Sequence, residues 1–327
     1  MIVLDWCTSG ASEGGRHAVA LFGLGLVGSA ILSSIEKRTS AHGRTMAFAW
    51  EADGPRDEQG AAIVDYLGHL LANGAKGGDL SRTTIDIVWA AGKGGFQASA
   101  AEFDGDLAAF DSVLAIATRL SVRFPDARHE FHLVSSAGGL FEGQRLVGTD
   151  SKPDPQRPYG AVKLEQERRL LALPGETAVS IYRPSSVYGY KSGGRAGLIS
   201  TLVGNAINNR TTRIFGDLNT LRDYVFVQDV GRFIAGKVVE NRVSPDAGGA
   251  RTYLLASGKP TSMHEIVRLI ESKLQRRLFL KFDAAPSNAR HMSFRPSALP
   301  TDWSPTPPSF GVHFTVNEIM TEFLSPG

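Results

Sequence analysis

Apolar residues in the first 185 positions come in short blocks whose period alternates between that of a strand and that of a helix. His17-Ala-Val-Ala-Leu-Phe22 is an almost unbroken apolar run, as expected of a strand covered on both faces. After a glycine-rich turn, Leu26, Val27, Ala30, Ile31 and Ile35 recur at helical spacing. Thr45 to Trp50 reads as a second strand. Gln59 to Asn73 reads as a helix, with Ile63, Tyr66, Leu67, Leu70 and Leu71 on one side. Ile85 to Gly92 predicts a strand ending at glycine, Asp106 to Leu120 a helix, and Glu130 to Ser135 a strand. Arg157 to Leu173 is a strong helix and Ala178 to Tyr182 a strand. The weak place is 74–84, where another strand is expected and no convincing one is found.

Strands alternating with helices in this way predict an α/β fold built on a doubly wound parallel sheet. Beyond residue 185 the rhythm loosens. Gly189 to Arg195 reads as a loop and Leu198 to Asn208 as a helix. Short extended pieces follow at Arg213–Gly216 and Tyr224–Val227. A helix capped by Asp229 runs to about Glu240, Thr252–Ala256 is a strand, and Met263–Leu274 is a helix capped by Ser262. Prolines at 296, 300, 305, 307 and 308 predict an irregular segment before a last helix near Val316 to Phe323. The first 15 residues, rich in glycine and serine, read as a flexible arm.

Ala18 to Ile35 carries no charge over 18 residues, the lower edge of a membrane span. Gly23, Gly25 and Gly28 inside it make strand, turn and helix the better reading, and no membrane association is expected. Thirty-five basic against 33 acidic side chains give no basic surplus that would advertise nucleic acid as a partner. The single cysteine, Cys7, cannot form an intramolecular disulfide, and the eight histidines hold no H-x-x-x-H pair. No metal is expected, and a cytoplasmic setting is the default. Glycine is in excess, at 36 of 327 residues or about 11%, against roughly 7% in average usage.

Part of that excess has a chemical address. Gly23-Leu-Gly25-Leu-Val-Gly28 matches G-x-G-x-x-G between a predicted strand and a predicted helix, the context that gives the pattern meaning. The first glycine permits the turn, the second lets backbone approach a pyrophosphate, and the third lets helix and strand pack closely. Phosphates would then meet the positive end of the helix dipole. Glu51, 23 residues beyond Gly28, is placed to grip an adenosine ribose, which favours NAD. Asp53 competes for that role, and Arg56 is near enough to serve a 2′-phosphate, so NADP stays open. The backbone at Ala90, Ala91 and Gly92 ends a strand facing the same cleft.

The second signal is Tyr159-Gly-Ala-Val-Lys163 on a predicted helix, with Ser135 and Ser136 at a strand end. Tyrosine and lysine four apart share a helix face. An ammonium beside a phenol favours the phenolate and so lowers a pKa that starts near 10. The result is a base able to take a proton from an alcohol, with a serine holding the oxygen.

The order of these motifs resembles an extended short-chain dehydrogenase/reductase of the NAD-dependent epimerase/dehydratase family. The likeness is carried by the glycine turn, Asp86-Ile-Val-Trp-Ala-Ala-Gly92, Val134-Ser-Ser-Ala-Gly-Gly139 and Pro158-Tyr-Gly-Ala-Val-Lys163. It continues through Tyr182-Arg-Pro-Ser-Ser-Val-Tyr-Gly189, Ile214-Phe-Gly-Asp217 and Leu221-Arg-Asp-Tyr-Val-Phe-Val-Gln-Asp229. The resemblance implies a Rossmann-type sheet with a smaller, mixed C-terminal lobe for substrate. The expected divisions are an arm over 1–15, a cofactor unit over 16–185 plus 223–257, and a substrate lobe over 186–222 plus 258–327.

By the same resemblance, Tyr159 is the acid/base, Lys163 holds the nicotinamide ribose, and Ser135 or Ser136 completes the triad. Gly23, Gly25, Leu26, Val27, Gly28, Glu51, Ala90, Ala91 and Gly92 contact the cofactor, and Pro184 and Val187 line its nicotinamide pocket. Ala137 and Ser186 border the substrate, Arg222 reaches its diphosphate, and Arg295 is a second phosphate contact. An ion pair of Arg222 with Asp223 or Asp217 is the competing reading for that arginine. Three departures stand out. Ala137 occupies the family's usual triad position, Asp106 stands where asparagine is common, and Ser186 replaces another asparagine. The implied activity is an NAD-dependent nucleotide-sugar epimerase, passing through a keto intermediate and working as a homodimer. A one-way reductase or dehydrogenase of a keto-sugar or other carbonyl, or a non-catalytic dinucleotide-binding scaffold, are the alternatives.

Overall fold

A computed structural model describes residues 1–7, 15–51, 54–72, 80–92, 94, 103–240, 249–283, 285, 288 and 290–324. In chain order the first half comprises β1 (Ile2–Cys7), β2 (Arg16–Phe22), α1 (Leu26–Glu36), β3 (His42–Thr45), α2 (Arg56–Ala72) and β4 (Thr84–Trp89). It continues with α3 (Asp104–Arg123), β5 (Arg128–Val134), α4 (Ala137–Leu140), α5 (Pro158–Leu171), β6 (Ala178–Pro184) and β7 (Ser186–Tyr188). The remainder comprises α6 (Leu198–Ile207), β8 (Thr212–Phe215), β9 (Leu221–Arg222), β10 (Tyr224–Phe226), α7 (Val227–Glu240) and β11 (Arg251–Leu255). Last come β12 (Thr261–Ser262), α8 (Met263–Leu274), β13 (Leu280–Asp283) and α9 (Pro308–Leu324).

Among the described residues, seven strands form the central sheet in the order β11-β6-β5-β4-β2-β1-β3. The pairs β2–β4, β4–β5, β5–β6 and β6–β11 are parallel, so the sheet is mostly parallel and Rossmann-like. Strands β2 and β4 are buried along nearly their whole length because helices cover both faces. One face carries Ile63, Leu67, Phe110, Val113 and Leu170 from α2, α3 and α5. The other carries Ile31, Ile35, Ile234 and Val238 from α1 and α7. A third core, with Leu202, Val203, Ile266, Ile270, Val312 and Val316, joins α6, α8 and α9. Among the described residues, no helix is long and apolar enough to cross a membrane.

The N-terminus departs from the sequence expectation. Residues 2–7 are not part of an arm but a strand, inserted antiparallel between β2 and β3, with Val3, Leu4 and Trp6 buried. Its alternate side chains enter the cores on both faces, which an unpaired arm could not do. Residues 8–14 of that expected arm lie outside the described residues.

The insertion also changes the strand expected at 45–50. Strand β3 ends at Thr45, its four residues are exposed, and it pairs with β1. Met46, Phe48 and Trp50 pack by their side chains instead, Phe48 edge-on to Phe22 at 5.0 Å and Trp50 against Trp89 at 5.9 Å. In the weak region, residues 80–83 form a turn and not a strand, and residues 73–79 lie outside the described residues.

Two further boundaries differ. Asp229 lies inside α7 rather than capping it, and its carboxylate accepts from the Thr306 amide at 2.6 Å and hydroxyl at 2.9 Å. Helix α9 starts at Pro308, eight residues earlier than expected, since proline is tolerated in a first helical turn.

Candidate active site

Strand β2 delivers the chain into the glycine turn at the carboxyl end of the sheet. Gly23 has φ +90°, and a Cβ there would stand 2.5 Å from Ala91 Cα. A Cβ on Gly28 would stand 1.8 Å from the Gly23 carbonyl oxygen, so α1 packs against the turn only because that atom is missing. Gly25, the N-cap of α1, is exposed, and a Cβ there would meet nothing within 4 Å. The helix therefore opens toward free space with its backbone amides foremost. This cradle fits the pyrophosphate of a dinucleotide. Leu26 is half-buried against the core of α6, α8 and α9, and Val27 between that core and the one beneath α1 and α7. Ala90 donates its amide to Phe22 at 2.8 Å, which joins the end of β4 to the same turn.

Glu51 lies on the exposed turn after Trp50, where its carbonyl accepts from Arg56 Nη1 at 2.5 Å. Asp53 lies outside the described residues. Pro184 ends β6 and is buried, and Val187 packs partly buried between two cores.

Helix α5 starts at Pro158, with Arg157 as N-cap, and carries Tyr159 and Lys163 on its inner side. The Tyr159 phenol lies beside Ser136, whose hydroxyl favours its ionised form. Burial raises the Tyr159 pKa, opposed by Ser136 and by the positive charge of Arg195. That is the reverse of the lowering expected from sequence. Lys163 is buried, and its amine donates to the Val134 carbonyl at 3.1 Å and to Gln166 Oε1 at 3.2 Å. Burial pushes its pKa down to about 8, opposed by Asp106 and Glu167.

The two serines diverge. Ser136 caps α4, accepting from the Gly139 amide at 3.0 Å, and turns its hydroxyl to Tyr159. Ser135 donates to Glu167 Oε1 at 2.5 Å, and Arg183 holds that carboxylate bidentately at 2.9 and 2.6 Å. Ala137 is fully buried in a small core with Leu140 and Phe141.

Ser186 donates its amide to the Asp223 carbonyl at 3.0 Å. Arg222 donates to the Asn288 carbonyl at 3.2 Å, while Asp223 faces inward to Ser185, Ser257 and the Gly258 amide. Arg157 joins the group, with Nε on both Glu142 oxygens at 3.1 and 2.9 Å and Nη2 on Asn288 Oδ1 at 2.6 Å. Arg295 pairs with Asp150 at the surface.

Glu142, Arg157, Glu167 and Arg195 are site residues that sequence reasoning passed over. Glu167 alone carried a usable signal, four positions after Lys163 on the same helix face. Away from the cleft, Asp86, Glu130 and His132 bring three potential ligand atoms within 4.8 Å of one another. Their carboxylates are engaged by His17, Ser180 and Arg251.

The sequence model of the NAD dependent epimerase/dehydratase family matches residues 23–247. A UDP-glucose 4-epimerase of Mycolicibacterium smegmatis is 31% identical over 162 residues, 45% of this chain and 46% of that protein. A putative UDP-glucose 4-epimerase of Methanocaldococcus jannaschii is 30% identical over 147 residues, 43% of this chain and 46% of its own length. The chain thus spans about half the length of the curated relatives it matches. The solved structure of MoeE5 in complex with UDP-glucose and NAD superposes with a TM-score of 0.70 at 20% identity, covering 94% of this chain and 99% of that one. The complex of Thermus thermophilus UDP-glucose 4-epimerase with NAD gives 0.68 at 16% identity, over 92% and 98%. At these identities the likeness of structure speaks for the fold.

Proposed function

Since the chain belongs to the NAD-dependent epimerase/dehydratase family, we propose that it binds NAD and epimerises a sugar carbinol in a nucleotide sugar. The observation that carries this reading is the contact of Ser136 with Tyr159, one helical turn from buried Lys163, beside a glycine cradle that a dinucleotide fits. When bound, NAD supplies a hydride acceptor that takes the carbinol hydrogen and can return it.

The chain's own residues do the proton work. Tyr159 accepts the hydroxyl proton, Ser136 holds the oxygen by hydrogen bond, and Tyr159 returns the proton when the keto sugar is reduced on its other face. Lys163 favours the phenolate by its charge. Arg222, with Arg157 beside it, offers guanidinium groups suited to a diphosphate. The division into a cofactor unit and a substrate lobe, a homodimer through α3 and α5, and a cytoplasmic location belong to the same proposal.

Tyr159→Phe keeps the ring but removes the transferable proton. Turnover of UDP-glucose or a related nucleotide sugar should fall by about 10²–10⁴-fold, with NAD binding kept in calorimetry. Full activity in that variant would overturn the acid/base assignment. A second reading is favoured by the raised Tyr159 pKa, because a phenol held protonated suits one-way reduction of a carbonyl. A reductase consumes reduced cofactor in step with product, whereas an epimerase consumes none.

A further inference from the structure

Arg222 on β9 is half-buried, and among the described residues it forms no ion pair. The acids next to it in sequence are engaged elsewhere. Asp217 accepts from the Asn219 amide at 2.6 Å, and Asp223 turns inward to Ser185 and Ser257. What Arg222 does meet is the backbone carbonyl of Asn288, at 3.2 Å. A guanidinium held by a neutral carbonyl keeps further donors and its full charge for an anion.

Asn288 is fixed from three other directions. Its amide donates to the Ala285 carbonyl at 2.9 Å. Its side-chain nitrogen donates to the Phe215 carbonyl at the end of β8 at 3.0 Å. Its side-chain oxygen accepts from Arg157 Nη2 at 2.6 Å. The carboxamide fits only this way round, because its oxygen must meet a donor and its nitrogen an acceptor. Arg157 is anchored in turn by Glu142, whose buried carboxylate takes its Nε at 3.1 and 2.9 Å. One residue thus joins β8, β9 and the start of α5, the helix that carries Tyr159 and Lys163. It touches two guanidinium groups and adds no charge that would cancel either.

We propose that Asn288 is a positioning residue for anion binding: it fixes the Arg222 and Arg157 guanidinium groups where a nucleoside diphosphate docks. This rests on the reading of Arg222 as the diphosphate contact given above. An aspartate at 288 would still accept from Arg157. Its charge, however, would compete with a phosphate for both arginines, and its second oxygen would face the Phe215 carbonyl.

The test titrates UDP into the NAD-loaded whole chain by calorimetry. In Asn288→Ala the Kd for UDP should rise about tenfold, the loss expected of one hydrogen bond to a charged group. NAD affinity should hold, and KM for UDP-glucose should rise by more than kcat falls. In an Arg222→Ala background the same replacement should cost much less, because Asn288 acts through the arginines. An asparagine that serves the fold alone would lower the urea midpoint and leave UDP affinity unchanged. That result overturns the proposal, and so do fully additive losses in the double variant. Should Asn288→Ala not fold, Asn288→Asp keeps the Arg157 contact and must still lose about tenfold in UDP affinity; wild-type affinity there overturns it equally.

The outcomes separate this inference from the reading beneath it. Wild-type protein that binds NAD but no UDP removes the diphosphate role of Arg222, and the proposal with it. UDP binding that weakens in Asn288→Ala, in a protein turning over no nucleotide sugar, sinks the epimerase reading and leaves Asn288 in place.

Discussion

At the scale of single residues, the structure assigns different work to two adjacent serines that the sequence leaves interchangeable. Ser135 and Ser136 follow a strand, where successive side chains leave on opposite sides. Which of them meets Tyr159 depends on how α5 lies against β5, and no local spacing encodes that. Ser136→Ala should lower kcat by about 10²-fold and, by removing the cap of α4, cost about 1 kcal/mol of stability in urea. Ser135→Ala strips a donor from buried Glu167 and should cost about 1–2 kcal/mol of stability, read from the same urea titration. Equal kinetic losses in both variants would remove the distinction. Tyr159 and Lys163 themselves were legible from spacing alone, because four residues on a helix give one face. The direction of the Tyr159 shift was not, since burial is a property of the assembled cleft.

At the scale of elements, the glycine turn, its flanking strand and helix, and the buried strands β4, β5 and β6 were all readable from period and length. Strand β1 was not. Ile2-Val-Leu-Asp-Trp-Cys7 is strand-like by itself, but it is followed by a glycine- and serine-rich stretch that reads as linker. Its partners come from outside that stretch, Leu4 facing Val19 of β2 and Gly43 of β3. The insertion also explains why 45–50 misled: β3 occupies the sheet edge, one strand further from β2 than the simple alternation suggests, and the apolar residues after it serve packing. Leu4 is fully buried in the core beneath α1 and α7. Leu4→Ala should therefore cost about 2–5 kcal/mol in urea unfolding, whereas a residue in a loose arm could be replaced at no cost.

At the scale of the whole molecule, the feature no sequence pattern announced is a row of buried polar groups that ties strands across the sheet. His17 on β2 lies 2.6 Å from Asp86 on β4, and His132 on β5 lies 3.6 Å from the other Asp86 oxygen and 2.9 Å from the Tyr182 hydroxyl on β6. Glu130 on β5 accepts from Ser180 on β6 at 2.6 Å and from Arg251 on β11 at 2.8 Å. Basic and acidic side chains alternate along the row, so removing one leaves the next without its partner in low dielectric.

Burial alone would raise the Asp86 pKa, yet His17 and His132 outweigh it and bring it from 3.8 to about 2. Burial pulls the His132 pKa down, but Glu130 and Asp86 prevail and hold it above its ordinary 6.5. Asp86 in the folded chain therefore binds its proton less readily than in the unfolded one. Its contribution, about 2 kcal/mol, is present above pH 4 and fades as pH falls toward 2. His132 has the opposite sign: it stabilises below pH 6.5 and loses that contribution as pH rises through its elevated folded value. The row should thus work best between about pH 4 and 6.5. In urea titrations across pH, the advantage of wild type over Asp86→Asn should shrink below pH 4, and its advantage over His132→Gln should shrink above 6.5. Differences that stay flat across both windows would mean that the row packs by shape and carries no charge of consequence.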